Sequence, residues 1–249
     1  MFWGDFKMKK IFYAGDSISA HNSIVNYPQA GLPQGLELYI QKDIKIYNRA
    51  MNGRSTKSFI DQGYLDAIEK EIESGDFFFL QFGHNDEKKY DPTRYTEPFG
   101  SFKENLKKYI EVARKAGAIP VLVTPLERRC FVDAWTLGPG EHADYVAGMK
   151  EVAIEEGVAL IDLYTKSRKL MEEAGAVETT KWFMHLEKGK YASYPEGRVD
   201  NSHLQHEGAR IFAGLIAEGL QELGGIYAEL LVDGIGVVAK AEYDNVIEK

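Results

Sequence analysis

The stretch Ile11-Phe12-Tyr13-Ala14-Gly15-Asp16-Ser17-Ile18 decides how the chain is read. Four apolar residues in a row, closed by a glycine, form the pattern of a short buried strand. An acid and a serine follow at once. A serine just past a strand, where a helix can begin, presents its hydroxyl and its own N–H at the rim of a sheet. Such an N–H can hold a developing anion. Taken alone, Asp16-Ser17 also fits a helix cap, so the decision rests on what the other strands end in.

Further strands are expected at 44–47, 76–82, 119–124 and 158–162, after a first one at 10–14. The run 76–82 is almost wholly apolar, as in a strand covered on both faces. Helical patterns fall at 34–41, 58–74 (broken near Gly63), 99–116, 141–156, 163–175 and 205–223. In 99–116, Phe102, Leu106, Tyr109, Ile110 and Ala113 share one face. Strands alternating with helices predict an α/β fold, a parallel sheet wrapped by helices on both sides. The segment 178–199 reads as long, aromatic and irregular, and Leu230–Val238 as a candidate edge strand. One domain over 1–249 is expected, with its core at about 10–223 and a C-terminal extension at 224–249.

Composition narrows the classes. The chain has 249 residues, 44% hydrophobic and 27% charged, with a net charge of −8. A domain this long buries roughly 75% of its unfolded surface and needs no disulfide or metal to hold it together. The acidic balance argues against nucleic acid as a partner. The one cysteine, Cys130, allows no internal disulfide. No apolar run approaches a membrane span, and the apolar stretch after Lys10 is too short for a secretion signal, so a cytoplasmic protein without a membrane partner is expected. A homodimer is compatible with the sequence.

In an open parallel sheet, ligands bind beyond the carboxyl ends of the strands. The first strand ends at Gly15-Asp16-Ser17, the second feeds Asn52-Gly53-Arg54, and the third ends at Gly83-His84-Asn85-Asp86. Asp200-Asn201-Ser202-His203 lies in an expected loop before the final long helix. These four segments can share one edge. Acyl transfer needs a nucleophile, a base, a group that orients the base, and donors for the oxyanion. Ser17, His203 and Asp200 can fill the first three roles. The N–H groups of Ser17 and Gly53 and the amide of Asn85 can supply the donors. Each piece has a plainer alternative: a turn at Gly53, turn formers at Asn85-Asp86, a helix start at Asp200-Asn201.

Together the four segments resemble the SGNH hydrolases, the GDSL-like serine esterases. Agreement is closer with the rhamnogalacturonan acetylesterase branch, through Asn52-Gly53-Arg54-Ser55, His84-Asn85 and Tyr194-Pro195-Glu196-Gly197. Ile18, Ser19 and Ser202 depart from the more usual residues of that pattern. The resemblance implies a three-layer α/β/α sandwich with a five-stranded parallel sheet in the flavodoxin-like order. It also implies a catalytic set of Ser17, Asp200 and His203, an oxyanion hole of Ser17, Gly53 and Asn85, and no cofactor or metal. The implied activity is removal of O-acetyl groups from pectin-derived oligosaccharides, the substrate being the expected partner.

Candidate substrate contacts are Asp16, Arg54, His84, Arg128 and Trp182. Arg54, Arg128, Arg129 and Arg198 can grip a carboxylate, and Trp135, Trp182, Phe183 and Tyr194 can stack on sugar rings. Three other functions stay open: an esterase or thioesterase for another acyl group, a metal-dependent phosphoesterase using Asp16, His84, Asn85, Asp86 and His203, and a carbohydrate-binding protein without activity.

Overall fold

The computed structural model describes residues 9–233. Five strands form a parallel sheet: β1 (Lys10–Gly15), β3 (Lys45–Asn48), β4 (Phe77–Gln81), β5 (Ile119–Val123) and β6 (Ala159–Ile161). Their order across the sheet is β3-β1-β4-β5-β6. In order of appearance this is 2-1-3-4-5, and the connections reverse direction between β1 and β4. Ile11 pairs with Phe77 and Gly15 with Gln81, so these two strands end side by side.

Alternation along the strands sorts the core into two layers. Ile11, Tyr13, Phe77, Phe79, Val121, Val123 and Ile161 face one side. There they meet α1 (Leu32–Leu36), α6 (Leu163–Glu178) and α7 (His206–Leu223). Phe12, Ala14, Phe78, Leu80 and Leu122 face the other, against α2 (Thr56–Asp61), α3 (Tyr64–Glu69), α4 (Ser101–Ala116) and α5 (Ala143–Glu156). Leu106, Tyr109 and Ile110 of α4 are buried there, which matches the stripe expected for 99–116.

Two segments differ from the sequence expectation. The stretch 178–199, expected to be irregular, contains β7 (Phe183–Leu186) and the start of β8 (Arg198–Gln205). These form a small antiparallel sheet with β2 (Gln29–Ala30), in the order β2-β8-β7. No long-range partner can be read from a local pattern so rich in turn residues. The second difference is at the C-terminal side. A short α8 (Gly225–Ala228) leads to Leu231, which makes one isolated bridge to Ile40. Val232 and Asp233 are not in a strand, and residues 234–238 of the expected strand lie outside the described residues.

Candidate active site

Ser17 stands in the turn that leaves β1. The N–H groups of Ser19 and Ala20 both donate to the Asp16 carbonyl, at 3.1 and 2.9 Å. The turn is also held from below. Ile18 N–H donates to Asp16 Oδ1 at 2.9 Å, Ser19 Oγ to Gln81 Oε1, and Asn48 Nδ2 to the Ser19 carbonyl at 2.7 Å. Ser19, one of the departures from the family pattern, is therefore part of the buried support of the serine turn. Ser17 itself stays half-buried at the surface of that support.

Asp200, Asn201, Ser202 and His203 lie within β8 rather than in a loop before α7. Phe183 opposes Leu204 while Met184 opposes Asp200, so residues 201–203 bulge out of the ladder. A bulge re-aims side chains, and here it carries His203 toward β1. The Asp200 carboxylate closes the bulge on itself. Its Oδ1 accepts from the N–H groups of Ser202 and His203 at 2.8 and 3.0 Å, and its Oδ2 accepts from His203 Nδ1 at 2.8 Å. The Ser17 hydroxyl then donates to His203 Nε2 at 2.9 Å. A proton on Nδ1 leaves Nε2 free to accept, which is the tautomer a base for Ser17 requires.

Burial works against the charge of Asp200, but the bonds from the His203 ring and from the two N–H groups outweigh it. Its carboxyl is held well below the usual carboxylate range. Arg198 adds a further bond to Oδ2 and is itself packed over the Tyr194 ring, 5.5 Å from its centroid.

Gly53 and Asn85 close the third side. Arg49 N–H donates to the Tyr13 carbonyl and Met51 N–H to the Gly15 carbonyl, at 2.8 and 3.0 Å. The chain after β3 is thus drawn along the end of β1. Arg54 N–H closes a turn on the Met51 carbonyl, and Gly53 within it has φ +75°. A residue with a Cβ is strained at that angle. Asn85 follows β4 and is buried. Its Nδ2 donates to the Arg54 carbonyl at 3.1 Å, tying the two loops together. Among the described residues, the N–H groups of Ser17 and Gly53 have no acceptor. The groups that acyl transfer uses are thus present here: a hydroxyl bonded to an imidazole, and two N–H groups and a side-chain amide able to donate.

The expected substrate contacts fare differently. Asp16 and His84 are buried under the serine turn, with 1% and 5% of their surfaces exposed, and face each other with Oδ2 and Nδ1 3.3 Å apart. The Arg54 guanidinium bonds to Gln62 and to the Asn52 carbonyl and lies over the Tyr64 ring. Arg128 is engaged by Glu87 at 2.6 Å and by Glu141 at 3.1 Å. Trp182 is a correction: it is fully buried and packs edge-on to Phe212 at 5.7 Å, so it has no face to offer a sugar. The backbone of α7 comes so close that a Cβ on Gly208 would lie 2.0 Å from the Trp182 carbonyl oxygen. Phe183 is buried as well, Arg129 is bound to Thr179 and Asn201, and Arg198 is committed to Asp200. For a large aromatic in a long polar segment, sequence position cannot distinguish a stacking platform from a core residue.

Two residues escaped the sequence reading. His142 is fully buried, its ring 4.2 Å from that of His84, with Nδ1 2.7 Å from Glu87 Oε2. Arg94 donates to Asn85 Oδ1 at 3.3 Å. Neither sits in a motif or at a strand end. Among the described residues, no group of histidines, cysteines and carboxylates has the geometry to hold a metal ion. No helix there is long and apolar enough to cross a membrane.

Comparison with known proteins agrees with this fold. Residues 13–211 match the family model of the GDSL-like lipase/acylhydrolases. The chain is 40% identical over 215 residues to a probable rhamnogalacturonan acetylesterase, YesY, of Bacillus subtilis, covering 86% of this chain and 93% of that one. It is 37% identical over 222 residues to the rhamnogalacturonan acetylesterase RhgT of the same organism, covering 87% and 93%. Among solved structures, the YxiM protein of Bacillus subtilis superposes with a TM-score of 0.75 at 29% identity, over 88% of this chain and 58% of that one. The fold is shared with Axe2, an acetylxylan esterase of Geobacillus stearothermophilus, at a TM-score of 0.58 and 16% identity, over 88% and 95%. The serine after the first strand, the aspartate–histidine bulge and the loops around them are thus the centre of a chain that belongs to the GDSL-like lipase/acylhydrolase family.

Proposed function

We propose that this protein is a serine esterase that removes O-acetyl groups from carbohydrate, and that its substrates are acetylated rhamnogalacturonan-type oligosaccharides. The observation that carries the chemistry is the unbroken chain from the Ser17 hydroxyl to His203 Nε2 at 2.9 Å and from His203 Nδ1 to Asp200 at 2.8 Å. The names of the two relatives at 37–40% identity support the substrate class.

In the first half of the reaction, Ser17 Oγ attacks the acetyl carbonyl carbon and His203 Nε2 takes its proton. The tetrahedral oxyanion is held by the N–H groups of Ser17 and Gly53 and by Asn85 Nδ2. His203 gives the proton to the departing sugar oxygen, leaving an acetyl ester on Ser17. In the second half, His203 takes a proton from water as the water attacks that ester; the tetrahedral intermediate collapses while His203 returns the proton to Ser17 Oγ, which releases acetate and restores the serine hydroxyl. Asp200 keeps the ring oriented and stabilises the imidazolium that forms twice in the cycle.

Acetate release from acetylated rhamnogalacturonan fragments, beside acetylated xylo-oligosaccharides, tests the proposal. The expected result is faster release from the former and loss of release in Ser17→Ala. Undiminished release by Ser17→Ala overturns the mechanism, and preference for the xylo-oligosaccharide overturns the substrate class.

A further inference from the structure

The segment between Asp86 and Thr96 is a closed loop. Thr96 N–H donates to the Asp86 carbonyl at 3.0 Å and Thr96 Oγ to Asp86 Oδ1 at 2.8 Å, so both ends of the loop are pinned beside Asn85. Inside it, Arg94 is held by Asp91. The Arg94 N–H donates to the Asp91 carbonyl at 3.0 Å and Nε to Asp91 Oδ2 at 2.6 Å, while Asp91 Oδ1 accepts from Thr93 N–H and Oγ. The guanidinium so fixed points back at the site. Its Nη1 donates to Asn85 Oδ1 at 3.3 Å and lies 3.9 Å from where a Cβ on Gly53 would stand.

A primary amide has two nearly isosteric orientations. Only one of them turns N–H groups toward an oxyanion; the other turns an oxygen toward it. A guanidinium can only donate and a carbonyl can only accept. Asn85 lies between the two: Arg94 takes its oxygen and the Arg54 carbonyl takes one Nδ2 hydrogen at 3.1 Å. Rotating the amide would set donor against donor and acceptor against acceptor at two part-buried contacts. The second Nδ2 hydrogen is left for a substrate oxygen. Arg94 also brings a fixed positive charge next to two of the three donors, where the tetrahedral intermediate is negative.

We propose that Arg94 is a positioning residue for the oxyanion hole, which locks the Asn85 amide in its donating orientation and lends its charge to the transition state. The proposal rests on the reading of Asn85 as an oxyanion donor. It is distinct from carboxylate binding, since the effect belongs to the acetyl group and not to any acid on the sugar.

The test uses phenyl acetate, a neutral ester, so that no substrate carboxylate is available to Arg94. Removal of one direct oxyanion donor costs about 100- to 1,000-fold in kcat. Arg94→Met, acting through Asn85, is expected to lower kcat by about 10- to 100-fold with KM little changed. Arg94→Lys, which keeps the charge and a donor, is expected to recover part of the loss. The double variant Asn85→Ala with Arg94→Met is expected to lose less than the product of the two single losses, because Arg94 acts in large part through Asn85. Asp91→Asn is the companion variant: releasing the guanidinium should lower kcat several-fold even if Arg94→Met folds poorly. Unchanged kcat on phenyl acetate in Arg94→Met overturns the proposal, including the case where only KM for acidic oligosaccharides rises. Additive losses in the double variant overturn it too. If Asn85→Ala itself keeps full kcat, the oxyanion reading of the site fails, and that result is separate from the fate of Arg94.

Discussion

Asp16 and His84 are buried face to face, Oδ2 3.3 Å from Nδ1, and each immediately precedes a residue of the site, Ser17 and Asn85. One close polar contact thus spans the ends of β1 and β4 beneath the reacting groups. Behind it the His84 ring meets His142, which is bound to Glu87, which is bound to Arg128. The sequence places Asp16 and His84 in motifs that look ready to touch a substrate. In the fold they are the floor on which the Ser17 turn and the Asn85 loop are set at a fixed spacing.

Removing Asp16 leaves the buried Ile18 N–H and the neutral His84 ring without their polar partner, at a cost of about 1–3 kcal/mol. Asp16→Ala is therefore expected to lose that much in urea unfolding at pH 7. Burial, and then the neighbouring His142, hold His84 below the usual histidine value. Burial alone would raise Asp16, but His84 and the Ile18 N–H outweigh it and hold the carboxyl below its ordinary value. Both shifts have the same consequence. As pH falls below about 6.5, the unfolded chain takes a proton that folded His84 refuses, and below about 4 the same holds for Asp16. Stability falls with pH in both windows. Between pH 7 and pH 5 the wild type should lose stability relative to His84→Asn in urea unfolding; a difference between the two that does not change with pH would contradict this assignment.

Asp86 acts in the opposite sense. Burial lifts its carboxyl to about 7, against donors from Thr56 and Thr96. Between about pH 4 and this raised value the folded chain holds a proton that the unfolded chain has lost. Its contribution to stability is complete below that window and is lost as pH rises through it. Asp86→Asn, which stays neutral, should gain stability relative to wild type as pH is raised from 5 to 8, measured by urea unfolding at each pH. A difference that does not change with pH would show that Asp86 stays ionised in the fold.

Asp200 is held so far below the usual carboxylate range that it stays charged throughout the working range of the enzyme. Asp200 therefore adds no proton of its own to the acid-side fall of kcat/KM. A limiting slope of one in log kcat/KM against pH is expected, and a slope of two would show a second group titrating. Asp200→Asn removes the charge and allows the wrong tautomer, so kcat should fall by about 1,000- to 10,000-fold.

Trp182 separates packing from binding. Trp182→Ala opens a cavity against Phe212 and α7 and is expected to cost about 3–5 kcal/mol in urea unfolding. KM for acetylated oligosaccharides should stay unchanged in the folded fraction. A raised KM with unaltered stability would return Trp182 to the substrate site.

The alternation of strand and helix, the two-sided burial of 76–82 and the amphipathic stripe of 99–116 are local patterns, and the five-stranded sheet follows from them. The residues that meet in the site were legible for the same reason: Ser17, Gly53 and Asn85 each follow a strand, and Asp200 and His203 lie three residues apart. The small sheet of β2, β7 and β8 was not legible, because β2 pairs with β8 across more than 150 positions, as Ala30 with Leu204, and β7 meets β8 only across an irregular register. Arg94 and His142 were hidden too, one in a charged loop and the other at the start of a helix, where nothing local marks a side chain that turns inward. Sequence by itself determined which chemical groups exist and which strand ends carry them, since periodicity and glycine placement act over a few residues. Only the tertiary structure decided which arginine reaches Asn85, which aromatic is core and which acid and histidine form the floor, because those choices depend on distances between segments that no local spacing encodes.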